Sequence, residues 1–368
     1  MNNIKTGAVI VAGGLSSRMN HFKPLLPIGT KTMIETTINN YIQFGVDEIV
    51  VVTGYRSEDI EKTLSEINVK CIKNMNFENT HMFDSVCIGL NEIKNKVDFI
   101  FISPADSPFV QQFTLNKMME EINNLDINLL QPSFEGNNGH PLLLRNTAVN
   151  KILEHDGTNG LQGAISKMGI NYKNISFVDP GIILDADTPS DYLKLLKFNE
   201  NKNCLSVEMC KKIQDYFNIS ESVKNHSDTV ASVALYIYDN LLNEGIVLDK
   251  KIIMAASLLH DVAKGLPKHA EVGASWLLQM GYEEISKIVK EHMELIKISK
   301  IPNEKEVVYL ADKLVKGERL VSIKERFYFK EEMYKNNTDA IKSIEKRKEQ
   351  AKFLYYMFLE NVRSYEMK

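Results

Sequence analysis

Three stretches in the first half of the chain carry groups suited to holding a nucleotide and a divalent cation. Residues 7–27 read GAVIVAGGLSSRMNHFKPLLP. An apolar run ends at Gly13-Gly14, where the backbone can turn tightly and meet a ligand with no Cβ in the way. Amides of such a loop point at phosphate oxygens. Arg18 and Lys23 add positive charge for a triphosphate, Arg as a two-pronged grip and Lys as a point charge. No Gly-Lys-Ser/Thr follows, so this is not a P-loop, and adjacent glycines do not make a dinucleotide fingerprint. Taken alone, the loop is equally a plain βα turn with solvated basic residues. FISPADSPFV sets Asp106 between Pro104 and Pro108 after an expected strand, and ILDADTPSDY sets Asp185 and Asp187 at the end of another expected strand, ahead of a helix start at Thr188-Pro189. Ligands of open α/β sheets sit at the carboxyl ends of strands, which makes Asp106 a natural Mg²⁺ ligand. Asp187 by itself suits a helix cap; beside Asp106 it suits a shared magnesium site.

The second half offers a different chemistry. Four of the eight histidines fall there: His226, His260, His269 and His292. LLHDVAKG sets His260 and Asp261 side by side at the end of an apolar helical run, where adjacent side chains can reach one ion. NHSDTV supplies His226 near the start of another helix, and VVYLADKLVKGERL supplies Asp312. Imidazole with carboxylate suits Mn²⁺, Fe²⁺ or Zn²⁺ better than calcium. An ion so held acidifies water for attack on phosphorus. A lone histidine in such a helix is more often structural, so the weight rests on the set.

The elements that must position these groups follow from periodicity. AVIVA, EIVVVTG, VKCIK and DFIFIS read as strands, and their continuous apolar character predicts burial on both faces, as in a parallel sheet covered by helices. KTMIETTINNYIQFG puts Met33, Ile34, Ile38, Tyr41 and Ile42 on one helical face and stops at Gly45. This rhythm runs to about residue 198. NENKNCLS, residues 199–206, lacks periodicity and is expected to be a linker, which makes 1–198 one domain and 207–368 a second, helical one. The tail from Asn337 reads as one long charged helix. A length of 368 residues suits two domains, and a net charge of -4 argues against a bulk electrostatic grip on nucleic acid. Four cysteines with no CxxC spacing suggest free thiols in a reducing compartment. The first apolar run is too short for a signal segment or a membrane span, so a cytoplasmic protein is expected.

As a set and in this order, VAGGLSSRMNHFKPLLP, VVVTGY, NFENTHMFDSVCIGL, PADSPFV, NGHPLLL and LDADTPSDY resemble the molybdenum-cofactor nucleotidylyltransferases. These belong to the three-layer, Rossmann-like α/β fold of nucleotide-diphospho-sugar transferases. The resemblance covers about residues 5–198. It implies transfer of NMP from an NTP to the phosphate of molybdopterin with release of pyrophosphate. It places Ala12, Gly13, Gly14, Arg18, Lys23, Thr53 and Ser85 around the nucleotide, with Arg18, Lys23 and Asp106 as the catalytic set. Asp106 and Asp187 would hold Mg²⁺, and His140 would lie on the acceptor side or be a polar loop residue. Ala12-Gly13-Gly14 is closer to the guanylyl-transferring pattern, while Lys23–Pro27 and Gly139-His140-Pro141 are closer to the cytidylyl-transferring one. CTP is therefore preferred over GTP. Sugar-phosphate nucleotidylyltransferases share the loop and would change the acceptor. A cofactor-binding accessory protein is the non-enzymatic alternative, a molybdoenzyme the partner the family suggests, and a homo-oligomer an open possibility.

Residues 222–330 resemble the HD-domain phosphohydrolases, through the order His226, His260-Asp261, Asp312 and the surrounding HDVAK, HAEVGASWLL, VKEHMEL and YLADKLVKGER. The resemblance implies an all-α domain in which those four residues hold a first metal. His269 and His292 either complete a second metal site or are solvated helix residues. Lys264 either contacts phosphate or pairs with a helix end.

Overall fold

The computed structural model describes residues 4–366 apart from 16–18, 20, 126, 168 and 203. The chain divides into two compact units, Met1–Asn201 and Lys202–Lys368. The helix that opens at Pro189 runs to Asn201, and the next opens at Val207 with Ser206 as its cap, so the expected linker begins with the last turn of a helix. No helix among the described residues is long and apolar enough to cross a bilayer.

The first unit is built on one sheet. Its strands are β1 (Thr6–Ala12), β2 (Glu48–Thr53), β3 (Lys70–Lys73), β4 (Phe99–Pro104), β5 (Leu129–Phe134), β6 (Asn137–Asn138), β7 (Leu142–Arg145) and β8 (Tyr172–Ser176). The order is β8-β5-β7-β4-β1-β2-β3, with β6 paired to β5. The β1 pairings with β2 and β4 are parallel and level: Ala12 lies opposite Thr53, and Val11 opposite Pro104. That register lines up the loops after β1 and β4, which carry Gly13-Gly14 and Asp106.

Successive residues of β1 face opposite sides of the sheet. Val9 packs with Val86, Leu90 and Ile93 of the helix Met82–Ile93. Ala8 and Ile10, equally buried, point to the other face, where the buried residues include Ile34, Ile38 and Tyr41 of the helix Met33–Phe44. A capping box of Thr32 and Glu35 starts that helix, and Gly45, at φ 87°, ends it.

The expectation of a purely parallel sheet needs one correction. β7 runs antiparallel to both β4 and β5. The reason is chain length: only residues 135–141 join β5 to β7, too few for the crossover that a parallel neighbour needs. Glu135 and Gly136, both at positive φ, close a tight hairpin instead. β7 therefore brings to the carboxyl end of β4 the residues that precede it.

The second unit is helical, apart from a two-strand ribbon of Val315–Lys316 with Arg319–Leu320. Helices Glu221–Asn243, Lys250–Leu259, His269–Gln279, Glu283–Glu291 and Glu304–Lys313 carry the histidines and aspartates or end beside them. Ile323–Met333 and Thr338–Glu366 follow.

Candidate active sites

At the carboxyl ends of β1 and β4 lies a cleft of about 570 Å³. Ala12, Gly13, Gly14, Lys23, Ser85, Asp106, His140 and Asp187 all line it, and Asp185 joins them. Arg18 lies outside the described residues. Lys23 Nζ stands between two carboxylates, 2.8 Å from Asp187 Oδ1 and 3.3 Å from Asp106 Oδ2. Residues 83 and 164 positions away in sequence thus meet one ammonium group. Burial, with Asp106 and Asp187 next, raises the Asp185 carboxyl above its ordinary value. Three carboxylates around one lysine form an oxygen-rich donor set that suits a hard divalent cation.

Capping does not explain Asp187. Thr188 takes that role: its hydroxyl accepts from the Asp191 amide at 3.3 Å and donates to Asp191 Oδ2 at 2.6 Å. Asp187 is turned to Lys23. Thr53 departs from expectation in the other direction. It is fully buried and does not line the cleft; its hydroxyl donates to the Ile72 carbonyl at 3.4 Å, and its own carbonyl accepts from the Asn74 amide. The last residue of a central strand is held inside by its neighbours, and Thr53 supports the loop from behind. The buried Asn74, which sequence reasoning did not single out, does line the cleft and donates to Ser85 Oγ at 3.2 Å and to Thr80 Oγ1 at 2.9 Å. Its signal was an asparagine directly after a strand, at the end where ligands gather.

The glycine loop is held close to a second glycine. A Cβ on Gly54 would lie 2.6 Å from the Gly13 carbonyl oxygen and 2.9 Å from Gly13 Cα. Neither backbone atom can turn aside. Gly54→Ala is expected to displace the Gly13-Gly14 loop and cut NTP affinity by roughly tenfold, with about 1–3 kcal/mol of overpacking strain. Nucleotide titration and thermal unfolding of the variant check both.

His140 reaches the cleft on the segment before β7, its amide bonded to the Ile182 carbonyl at 2.8 Å. Burial lowers its pKa, against the pull of Asp106. An imidazole with a depressed folded-state pKa stays neutral above its usual value, and the stability it lends is lost as pH falls through the folded value. Between pH 6.5 and 8 transferase activity is expected to show no ionisation from His140. In His140→Gln the acceptor KM rises and the shape of the pH profile is retained; a limb that vanishes with the substitution contradicts this.

In the second unit the six predicted groups converge. His226 Nε2 is 3.3 Å from Asp312 Oδ1, and His260 Nε2 is 3.5 Å from Asp261 Oδ2 and 3.9 Å from Asp312 Oδ1. His269 Nε2 and His292 Nε2 lie 3.2 Å and 3.5 Å from Asp261 Oδ1. Ligand atoms of His226, His260 and Asp261 fall within 4.8 Å of one another, and so do those of Asp261, His269 and His292. Asp261 is common to both groups. His292 is 1 % exposed, which removes the solvated-helix alternative for it. Lys264 Nζ pairs with Asp261 Oδ2 at 2.8 Å and not with a helix end.

The donor chemistry of this cluster fits divalent metal. The Nδ1 atoms of His226, His260 and His292 face the carbonyls of Gly317, Ser257 and Val289 at 2.9, 2.7 and 2.7 Å. A carbonyl only accepts, so each Nδ1 carries its proton and Nε2 is turned to the cluster, the arrangement that orients histidine ligands. The Nε2 atoms of His260, His269 and His292 and Asp261 Oδ1 are sealed from solvent without an aligned hydrogen bond among the described residues. Burial opposes ionisation of Asp261 and Asp312, but His260 beside the first and Lys313 beside the second outweigh it, and both carboxyls sit well below the usual range. Burial draws His292 down to about 4, against Asp261. Lone pairs and ionised carboxylates aimed at one another ask for a cation between them.

Comparison with known proteins agrees with this division. Residues 8–171 match the model of the MobA-like NTP transferase domain, and residues 223–317 match that of the HD domain. The chain is 28% identical over 186 residues to a molybdenum cofactor cytidylyltransferase of Escherichia coli, covering 50% of this chain and 92% of that protein. It is 29% identical over 164 residues to the bifunctional protein GlmU of Francisella tularensis subsp. novicida, covering 44% of this chain and only 35% of that protein. A solved nucleotidyl transferase from Methanothermobacter thermautotroptrophicus aligns over 54% of this chain and 98% of its own, at 23% identity and a TM-score of 0.47. The chain carries a MobA-like NTP transferase domain in its first unit and an HD domain in its second.

Proposed function

We propose that the protein is bifunctional: the first unit transfers a nucleoside monophosphate, from CTP in preference to GTP, to the phosphate of a molybdopterin-type acceptor, and the second is a metal-dependent phosphohydrolase. The observation that carries the first half is Lys23 set between Asp106 and Asp187 in the cleft that also holds the glycine loop. Lys23 and the loop amides grip the triphosphate, Asp106 and Asp187 hold Mg²⁺, and Mg²⁺ when bound neutralises phosphate charge. Such a transfer is a matter of alignment and charge neutralisation, with no protein nucleophile needed. His140, neutral and lining the same cleft, is the residue for the acceptor side. The cytidylyltransferase relative supports the acceptor class. Incubation of the full chain with molybdopterin, Mg²⁺ and each NTP in turn tests this reading. Pyrophosphate release with CTP and a dinucleotide product are expected. Turnover of sugar phosphates alone, or a tight cofactor complex with no NTP consumed, would replace it.

For the second half, the observation is Asp261 shared by two three-residue ligand groups. Mn²⁺, Fe²⁺ or Zn²⁺ held there supplies Lewis acidity toward phosphate oxygen and water. The protein's own residues fix the histidine tautomers, keep Asp261 and Asp312 ionised and add Lys264 for phosphate. Treatment with chelator is expected to abolish phosphate release and leave the fold intact, with Mn²⁺ restoring activity. Phosphate release that persists in metal-free protein contradicts the assignment.

A further inference from the structure

The cavity beside the histidine–aspartate cluster carries more positive charge than the cluster can use. Its walls include Lys264, Lys313, Arg326, Lys330 and Arg347, against Asp261 and Asp312. Three of these cations lean on the two carboxylates. Lys264 Nζ is 2.8 Å from Asp261 Oδ2, Lys313 Nζ is 2.6 Å from Asp312 Oδ2, and Arg326 Nη2 is 3.3 Å from Asp312 Oδ1. Lys330 and Arg347 have no carboxylate within ion-pair distance among the described residues. Arg347 Nε donates only to the Ser343 carbonyl of its own helix, at 3.0 Å. Burial, together with Arg326, Lys313 and Arg347, pushes the Lys330 ammonium down to about 8. Cations crowded so closely are short of an anion.

Arg326 and Lys330 lie four residues apart on one face of the helix Ile323–Met333, and Arg347 comes from Thr338–Glu366. All three lie beyond residue 317, where the HD match ends. The cavity measures about 40 Å³. At about 10–15 Å³ per enclosed water, that is about the room of one phosphate beside a group held at the cluster itself, and far less than a nucleoside needs. A single phosphate at the histidine–aspartate cluster would leave Lys330 and Arg347 unmatched; a neighbouring phosphate would meet them.

We infer that the two C-terminal helices complete a diphosphate clamp: the cluster takes the phosphoryl group that is cleaved, Lys330 and Arg347 grip the phosphate bonded to it, and the substrates are phosphoanhydrides, not phosphomonoesters. The inference rests on the hydrolase reading of this unit. In the step, water oxygen bonds to phosphorus and the bridging P–O bond breaks. Its electron pair goes to the leaving phosphate, whose growing charge Lys330 and Arg347 meet. The proton lost by the water passes to the leaving phosphate or to solvent. Inorganic diphosphate and the β,γ-anhydride of a nucleoside triphosphate share this chemistry.

The test uses the full chain with Lys23→Met, which removes the cation for diphosphate oxygens in the first cleft. Calorimetry on metal-free protein compares imidodiphosphate, which is not hydrolysed, with inorganic phosphate. Imidodiphosphate is expected to bind at least ~10-fold tighter. Lys330→Gln and Arg347→Gln should each reduce that preference by roughly tenfold, as loss of a charge-assisted hydrogen bond implies, and Lys330→Arg should restore most of it. Hydrolysis with Mn²⁺ of inorganic diphosphate, a nucleoside triphosphate and p-nitrophenyl phosphate tells the two anhydride sources apart from each other and from a monoester. A monoester cleaved as well as the anhydrides, or a diphosphate preference untouched in both glutamine variants, overturns the clamp and leaves the hydrolase reading standing. Diphosphate binding that depends on Lys330, with no hydrolysis of any substrate, supports the clamp as a binding site and overturns the hydrolase reading.

Discussion

Asp261→Asn is expected to remove phosphohydrolase activity by at least ~10³-fold. The carboxylate of Asp261 belongs to both ligand groups, one through His226 and His260 and the other through His269 and His292. An amide keeps the shape and loses the charge, so both groups lose their shared anion at once. Lewis acidity in such a site contributes several kcal/mol, and each 1.36 kcal/mol is about tenfold in rate. Metal content by elemental analysis should fall in parallel with the rate. The proposed nucleotidyl transfer, whose candidate groups lie in residues 1–201, serves as the internal control. A variant with full hydrolase activity, or with full metal content and no activity, would contradict the shared-ligand role.

Lys23→Met is the second large effect. Transferase activity should fall by ~10²–10³-fold, the usual loss when one preorganised charge is taken from a transferring phosphate. A second signature separates this from a simple binding defect. Lys23 is the cation between Asp106 and Asp187, and Asp185 is in the same cleft. Without it these carboxylates repel, and the metal-free protein should lose about 1–2 kcal/mol. Mg²⁺ should then stabilise the variant more than the wild type, because an ion that binds the folded state adds stability by mass action. Differential scanning fluorimetry with and without Mg²⁺ reads this directly; equal Mg²⁺ shifts in the two proteins would sink the idea that Asp106 and Asp187 form the ion site.

Most of what could be read in the residue order concerned strand ends and histidine spacing. Gly13-Gly14 and Asp106 announce themselves because each follows an apolar strand, and the level register of β1 and β4 places them together. Asp187, expected at a strand end, instead follows the short 3-10 turn Pro180–Ile183, where a proline and a glycine take the place of a strand. The capping alternative for Asp187 is decided only by Thr188 and Asp191, whose mutual bonds are invisible in the string itself. The direction of β7 was not legible either, since LLLR buries equally well in either orientation; the length of 135–141 was the signal. Thr53 sits at a strand end like the others but faces inward, a matter of one residue's side. The basic chamber escaped for another reason. Arg326 and Lys330 belong to no motif in the sequence, and only the packing of their helix against the histidine–aspartate cluster gives them a ligand-sized space.

The Glu135-Gly136 hairpin sets the segment that carries His140 apart from the glycine loop in chain and in strand direction. In the proposed transfer the nucleotide is held by segments that leave β1 and β4, tied to the parallel register at the centre of the sheet. His140 comes on a short segment that enters β7 from a turn, and β7 runs antiparallel to β4, outside that parallel register. Grafting a different 137–138 sequence between the turn and Gly139 should retune which acceptor is taken while the grip of Lys23 and the glycine loop on the triphosphate stays put. In the proposed reaction, substrate range and energy source would thus come from separable pieces of one polypeptide.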